Sequence, residues 1–389
     1  MRNIVGPVPR GNDFYQREDV LKRLYRRLEN AGHLYMAAPR RMGKTAIMRY
    51  LEDNKTDNYY ALYVITDSVQ DSEQFFKTVL DGLLKSNALG QFKTLSKNVG
   101  NFVDRFIGRF KKVNAYGFGL ELNDASSSYY QELQNLLRDL RDEETNFKLI
   151  IMIDEFPQAV ANILREHGET EAIQFLQKNR ELRQQANDTI LFLLTGSIGL
   201  PALVSKLDMT QTINDLNVFE IPPLNHEDAK DLLGQLLTNK NVPYQDSNLD
   251  TVLIKLEWFS PYHIQLLAQE FIDQYDINQT AINESSIELA FQNITNRNHN
   301  INFEHYFSRL KRSFEESELH FAQALLKILC QQNKLSSDEI EALANNYPLI
   351  NFGFVLRALE SDGYIFKNED GWRFTSPILK RWWHQYVCY

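Results

Sequence analysis

Apolar and polar positions change their period part-way along the chain. Through the first half, short apolar runs alternate with stretches whose apolar residues recur every three or four positions, which is the alternation of an α/β sheet. The runs at 33–37, 60–65, 148–153, 190–195 and 218–221 predict strands. Leu149 to Ile153 is apolar on both faces, as a central parallel strand requires. Helical spacing marks 18–30, 44–53, 72–86, 127–142 and 169–186. At Pro222-Pro223 the strands stop, because two prolines neither donate to a sheet nor continue a helix. Residues 226–300 read as helices alone, the first opened by Asn225 or His226. Residues 303–389 read as three helices, a hairpin and a last helix. The hairpin is Tyr364-Ile365-Phe366, a polar turn at Asn368 to Gly371, and Trp372-Arg373-Phe374. That order is a winged helix, and the chain divides into 1–222, 223–300 and 301–389.

Composition narrows the class. The 389 residues are 43% hydrophobic and 24% charged, an ordinary globular mix long enough for two or three domains of about 150 residues each. Cys330 and Cys388 cannot make a disulfide framework, so a reducing cytosol is the expected setting. No run approaches the roughly 18 apolar residues of a membrane span, and Met1 to Pro7 lacks the apolar stretch of a signal peptide. The chain is therefore expected neither to span a membrane nor to be secreted. A net charge of −9 argues against a general nucleic-acid coat. The charge is polarised, however: residues 1–50 carry +7, residues 85–115 carry +6, and residues 206–300 carry −9.

Two motifs carry chemistry. Ala38-Pro39-Arg40-Arg41-Met42-Gly43-Lys44-Thr45 follows a predicted strand and opens a predicted helix, so backbone N–H groups and a helix N-terminus converge on an anion. Gly43 lets the loop turn closely around a phosphate, Lys44 reaches the outer phosphate oxygens, and Thr45 offers a hydroxyl to Mg²⁺. Ala38 stands where a phosphate-binding loop has its first glycine, which is tolerable only if that backbone needs no positive φ. The second motif, Leu149 to Ile153 followed by Asp154 and Glu155, is an apolar strand ending in two carboxylates. Asp154 would hold Mg²⁺ through water, and Glu155 would orient or deprotonate an attacking water. Two carboxylates at a helix start are also what a helix dipole favours.

With both motifs in this order, the chain resembles the archaeal-type P-loop ATPases of the AAA+/STAND superfamily over nearly its whole length. Phe14-Tyr15-Gln16-Arg17-Glu18 with Leu21 and Leu24 is similar to the family's opening box. Leu194-Thr195-Gly196-Ser197 is similar to its sensor 1 turn, Ser260-Pro261-Tyr262 to its lid motif, and Ser376 to Trp383 to its winged-helix ending. The resemblance implies a P-loop sheet in the order 5-1-4-3-2, a helical lid, and ATP with Mg²⁺ at the C-terminal ends of the strands. Residues Ala38 to Gly43, Lys44, Thr45, Ala46, Arg17 and Pro261 would then contact nucleotide. Ser197, or Thr195 beside it, would read the γ-phosphate, and Lys44 and Glu155 would serve catalysis.

Two departures bear on turnover. Sensor 1 has Thr-Gly-Ser where many STAND switches have arginine, and the lid motif lacks the arginine of many AAA+ motors. Hydrolysis is thus expected to be slow or to need a partner, with Arg180 or Arg183 able to act on a neighbouring subunit in an oligomer. The histidines and cysteines show no metal spacing, and there is no Gly-x-Ser-x-Gly elbow. Residues 318–389 carry a net −1, poor for a DNA groove. The reading is a nucleotide-dependent switch for a separately encoded protein partner. A DNA-binding AAA+ module, of origin-recognition or transposition-accessory type, is kept open by the basic residues 85–115 with Phe92, Phe102, Phe106 and Phe110. A nucleotide-binding scaffold without turnover is a third possibility.

Overall fold

The apolar runs of the first half become five parallel strands. These are β1 (Leu34–Ala37) and β2 (Tyr59–Ile65) and, after an antiparallel pair β3 (Phe110–Val113) and β4 (Gly119–Leu122), β5 (Lys148–Asp154), β6 (Ile190–Thr195) and β7 (Asn217–Glu220). The computed structural model describes residues 1–30, 32–54, 59–86, 110–113, 119–122, 128–142, 148–186, 188–197, 199–296, 301–347 and 350–388. The chain forms two units, one of residues 18–37 and 44–221, the other of 1–17, 38–43 and 222–389.

In the first unit the strand order is β2-β5-β6-β1-β7. The pair β3–β4 stands outside this sheet and shifts the numbering from the expected 5-1-4-3-2. It corrects that expectation in detail: a two-stranded hairpin outside the sheet has too little apolar pattern to be read from sequence. β5 is the central strand anticipated, with Leu149 to Ile153 no more than 1% exposed. Each such side chain contributes about 1.5–3 kcal/mol of burial. The parallel register pairs Ile65 with Asp154, Ile153 with Leu194, and Met36 with Thr195, so the C-terminal ends of β1, β5 and β6 lie at one edge.

Helices α1 (Glu18–Glu29), α2 (Lys44–Asp53), α3 (Ser72–Lys85), α4 (Tyr129–Asp142), α5 (Phe156–Gln185) and α6 (Leu200–Lys206) belong to this unit. Asp71 caps α3 by accepting from Gln74 N at 2.7 Å. Phe75 of α3 meets Phe175 at 4.8 Å and Phe156 at 5.8 Å, both on α5, which locks the two helices together. α5 is longer than the predicted 169–186 and breaks at Gly168, whose φ of 82° and ψ of 179° are not helical. Arg183 of α5 is not available to a neighbouring subunit. Its side chain is 2% exposed and donates to Asp215 Oδ2 at 2.6 Å, to Asp215 Oδ1 at 3.0 Å and to the Thr212 carbonyl. Breaking such a pair would strand Asp215, a cost of about 3–5 kcal/mol.

The second unit holds helices α7 (His226–Thr238), α8 (Asp246–Leu256), α9 (Pro261–Asn278), α10 (Glu284–Asn293), α11 (Glu304–Ser313), α12 (Glu316–Gln331), α13 (Ser337–Ala344), α14 (Phe352–Ser361) and α15 (Pro377–Tyr386). The hairpin β8 (Ile365–Asn368) and β9 (Gly371–Phe374) precedes α15. Asn225 caps α7 by accepting from Asp228 N at 2.7 Å. One apolar core runs from Leu224 through Leu325 to Trp383. Gly371 is required where it stands: its φ is 125°, and a Cβ there would lie 2.5 Å from the Leu335 carbonyl oxygen. That close approach lets Leu335 and Trp372 exchange backbone hydrogen bonds of 3.0 and 2.7 Å. Two adjacent tryptophans on one helix are expected to point apart, one to the core and one to a neighbouring surface. Instead both are buried, because α15 is walled on two sides: Trp382 stacks on Phe303 at 5.9 Å, and Trp383 lies 6.0 Å from Tyr364.

Among the described residues no helix is long and apolar enough to cross a membrane. Of the basic stretch 85–115, residues 87–109 and 114–115 lie outside the described residues, including Lys93, Lys97, Phe92, Phe102 and Phe106.

Candidate nucleotide-binding site

The two carboxylates at the end of β5 have different surroundings. Asp154, 3% exposed, accepts at Oδ2 from the Thr45 hydroxyl at 2.8 Å and from the Tyr63 hydroxyl at 2.8 Å. Its Oδ1 accepts from Glu155 N at 3.1 Å. Burial pushes the Asp154 carboxyl above its ordinary range and Glu155 adds to this, while the bonds from Thr45 and Tyr63 and the charge of Lys44 oppose it. Thr45 and Lys44 come to this point because they open α2. Among the described residues no group of three or more His, Cys, Asp or Glu could hold a metal by itself. A hydroxyl and a carboxylate sharing one hydrogen bond are instead the sparse, hard-oxygen set that suits Mg²⁺ when phosphates and waters complete its shell.

Tyr63 is a site residue that the sequence did not single out. It pairs with Met152, so it lies diagonally behind Asp154 on the same face of the sheet. Its hydroxyl stays protonated as a donor, since burial and the Asp154 charge both raise its pKa. The Arg49 guanidinium sits 3.5 Å from the centre of its ring. Recognising Tyr63 would have required the β2–β5 register, which one sequence does not reveal.

Glu155 adopts left-handed backbone, φ 60° and ψ 31°, uncommon for a residue other than glycine or asparagine. It precedes α5 yet its side chain caps nothing. Its Oε2 instead accepts from Ser197 N at 2.9 Å and from Ser197 Oγ at 2.7 Å. The turn after β6 is pressed against the start of α5, since a Cβ on Gly196 would lie 2.5 Å from Pro157 Cδ. Thr195, the alternative to Ser197, is fully buried and donates to the Met36 carbonyl at 2.9 Å. Its hydroxyl is committed to the sheet.

The loop 38–43 belongs to the second unit. Its positive φ angles fall at Arg41 (67°) and Gly43 (91°) and not at Ala38, which explains why an alanine is tolerated at the first position. Ser260 Oγ donates to the Arg41 carbonyl at 2.9 Å, and the Arg41 guanidinium lies 4.2 Å from the ring centre of Tyr262. Pro261, between them, is the first residue of α9. Gly363 takes φ 81° beside Pro39, where a Cβ would approach Pro39 Cβ to 2.6 Å. Arg17 is buried and donates to the Pro223 carbonyl at 3.1 Å.

His263, on the same helix as Pro261, is 3% exposed, and neither ring nitrogen has a hydrogen-bond partner among the described residues. It lies 6.0 Å from Phe303, and burial, aided by the Arg41 charge, pushes its pKa down to about 4. A histidine depressed in the folded chain is neutral there but protonated when unfolded below about pH 6.5. Its contribution is complete above that pH and is lost as pH falls toward 4. His263→Phe is therefore expected to spare about 2–3 kcal/mol of the parent's stability loss between pH 7 and 4.5. Denaturant midpoints at the two pH values measure this; equal losses in both proteins would contradict it.

Residues 22–199 match the sequence family described as "Predicted AAA-ATPase". The structure is similar to that of the Walker-type ATPase of Pyrococcus abyssi, with TM-score 0.65 at 14% identity over 99% of this chain and 100% of that one. It is also similar to the ORC2 protein of Aeropyrum pernix in its ADPNP–ADP complexes, with TM-score 0.51 at 12% identity over 96% and 92% of the two chains. The fold is that of an AAA+ P-loop ATPase. No curated protein sequence matches the chain. In the AAA+ P-loop fold the described geometry brings Thr45 to Asp154 and Ser197 to Glu155.

Proposed function

We propose that this chain binds ATP with Mg²⁺, hydrolyses it, and acts as a nucleotide-dependent switch on a separate protein partner. The observation that carries the reading is the meeting of Thr45 with Asp154 at the end of β5, next to Glu155. Gly43 and the N-terminus of α2 present backbone N–H groups to the phosphates, and Lys44 adds a positive charge to their oxygens. Thr45 and Asp154 would hold Mg²⁺, which supplies charge neutralisation across the phosphates. Glu155 accepts a proton from the attacking water. Arg41, bonded through its carbonyl to Ser260, supports a role for the lid residues 223–300 in sensing what the loop holds. The order α12–α13–α14, β8–β9, α15 supports reading 301–389 as a winged helix, the second lever of the switch. Isolation of partners from the native host with ATP-loaded and ADP-loaded protein tests the switch, and a partner set independent of nucleotide would reject it.

Tyr63→Phe tests the Asp154 arrangement. Losing one of the two hydroxyl donors to a buried carboxylate costs about 1.5–3 kcal/mol. Part of this is expected as a several-fold rise in the Mg²⁺ concentration needed for half-maximal binding of a slowly hydrolysed ATP analogue. Analogue binding without Mg²⁺ should be unaffected. An unchanged Mg²⁺ requirement would show that Tyr63 only packs the sheet.

A further inference from the structure

We propose that Glu155 and Ser197 form a closed pair which the γ-phosphate of a bound nucleotide opens, so that the general base is released only by a triphosphate. The proposal rests on the ATPase reading above and adds how its base is governed.

Both polar hydrogens that residue 197 can offer, its backbone N–H and its hydroxyl, point into one oxygen of Glu155, at 2.9 and 2.7 Å. A hydroxyl has a single hydrogen to donate. While it serves Glu155 it cannot serve a phosphate, and while Glu155 Oε2 receives two donors that oxygen is a poor acceptor for a water proton. An incoming phosphate oxygen therefore competes with the carboxylate for the same donors. Exchange transfers no proton: the Ser197 hydroxyl keeps its hydrogen and changes acceptor. A diphosphate lacks the oxygens that would compete, so the pair stays closed.

Three further features make the pair a device and not a chance contact. Glu155 is held in left-handed backbone, a conformation that costs free energy and is retained where surroundings enforce it. Gly196 has no room for a side chain against Pro157, so the two turns are fixed together and only side chains can change partner. Thr195 cannot substitute for Ser197, because its hydroxyl is bonded to the Met36 carbonyl.

The test is a double-mutant cycle read by nucleotide binding, so that it does not depend on turnover. ATPγS and ADP affinities are measured for the parent, Glu155→Ala, Ser197→Ala and the double variant, with Ser197→Thr as the conservative control. Removing Glu155 relieves charge repulsion on a triphosphate in any background. Only a closed pair adds a second gain, the freeing of Ser197. Glu155→Ala is thus expected to tighten ATPγS at least fivefold more in the parent and in Ser197→Thr than it does in Ser197→Ala. ADP affinity should be little changed throughout. Equal tightening in all backgrounds, or equal effects on ADP and ATPγS, would overturn the gate while leaving nucleotide binding intact. Failure of the parent to bind either nucleotide would overturn the ATPase reading, and the gate with it.

Discussion

Lys44→Ala is expected to abolish the thermal stabilisation that Mg-ATP gives the parent chain. A ligand that binds only the folded form stabilises it by about 2.7 kcal/mol at one hundred times its dissociation constant. For a unit of about 200 residues that corresponds to a rise of roughly 5–10 °C. Lys44 is the first residue of α2, its side chain is 8% exposed, and its charge acts on Asp154. Alanine at this position removes the cation and keeps the helix, since alanine is the best helix former. The variant should therefore melt near the parent without nucleotide and fail to shift with it. Thermal melts with and without Mg-ATP decide the matter, and equal shifts in the two proteins would remove Lys44 from the site.

Glu155→Gln should do the opposite, keeping nucleotide affinity while lowering kcat by about 10²–10⁴, the usual contribution of a positioned base. The amide oxygen of glutamine can still accept from Ser197, and its size matches, so the turn at 155–157 should be retained. Steady-state turnover and analogue binding measured on one preparation separate the two effects. Turnover at the parent rate would make Glu155 a structural partner of Ser197 and no base.

What the sequence showed and what it hid divide along a physical line. Elements whose signal is local were readable: the apolar run of β5, the helical spacing of α2 and α3, the proline stop at 222–223, the hairpin before α15. So were Thr45, Asp154, Glu155 and Ser197, because each belongs to a short motif with a fixed place at a strand end. Features that depend on pairing were hidden. Tyr63 faces Asp154 only because β2 and β5 pair in one register. Arg183 looked like a surface cation until Asp215, 32 residues on, met it in the interior. The two tryptophans share the core because Phe303 and Tyr364 come from elements distant in sequence. The bond from Ser197 to Glu155 was concealed in the same way, although both residues were singled out.

The left-handed backbone at residue 155 has a consequence for laboratory evolution of this protein. Asparagine adopts that conformation more readily than glutamate, so Glu155→Asn should relieve local strain while leaving the carboxylate chemistry impossible. A library selected for heat resistance alone would then accumulate robust, inert molecules at this position. Any selection for sturdier variants needs a parallel screen for turnover, or it will drift toward proteins that have exchanged their chemistry for comfort.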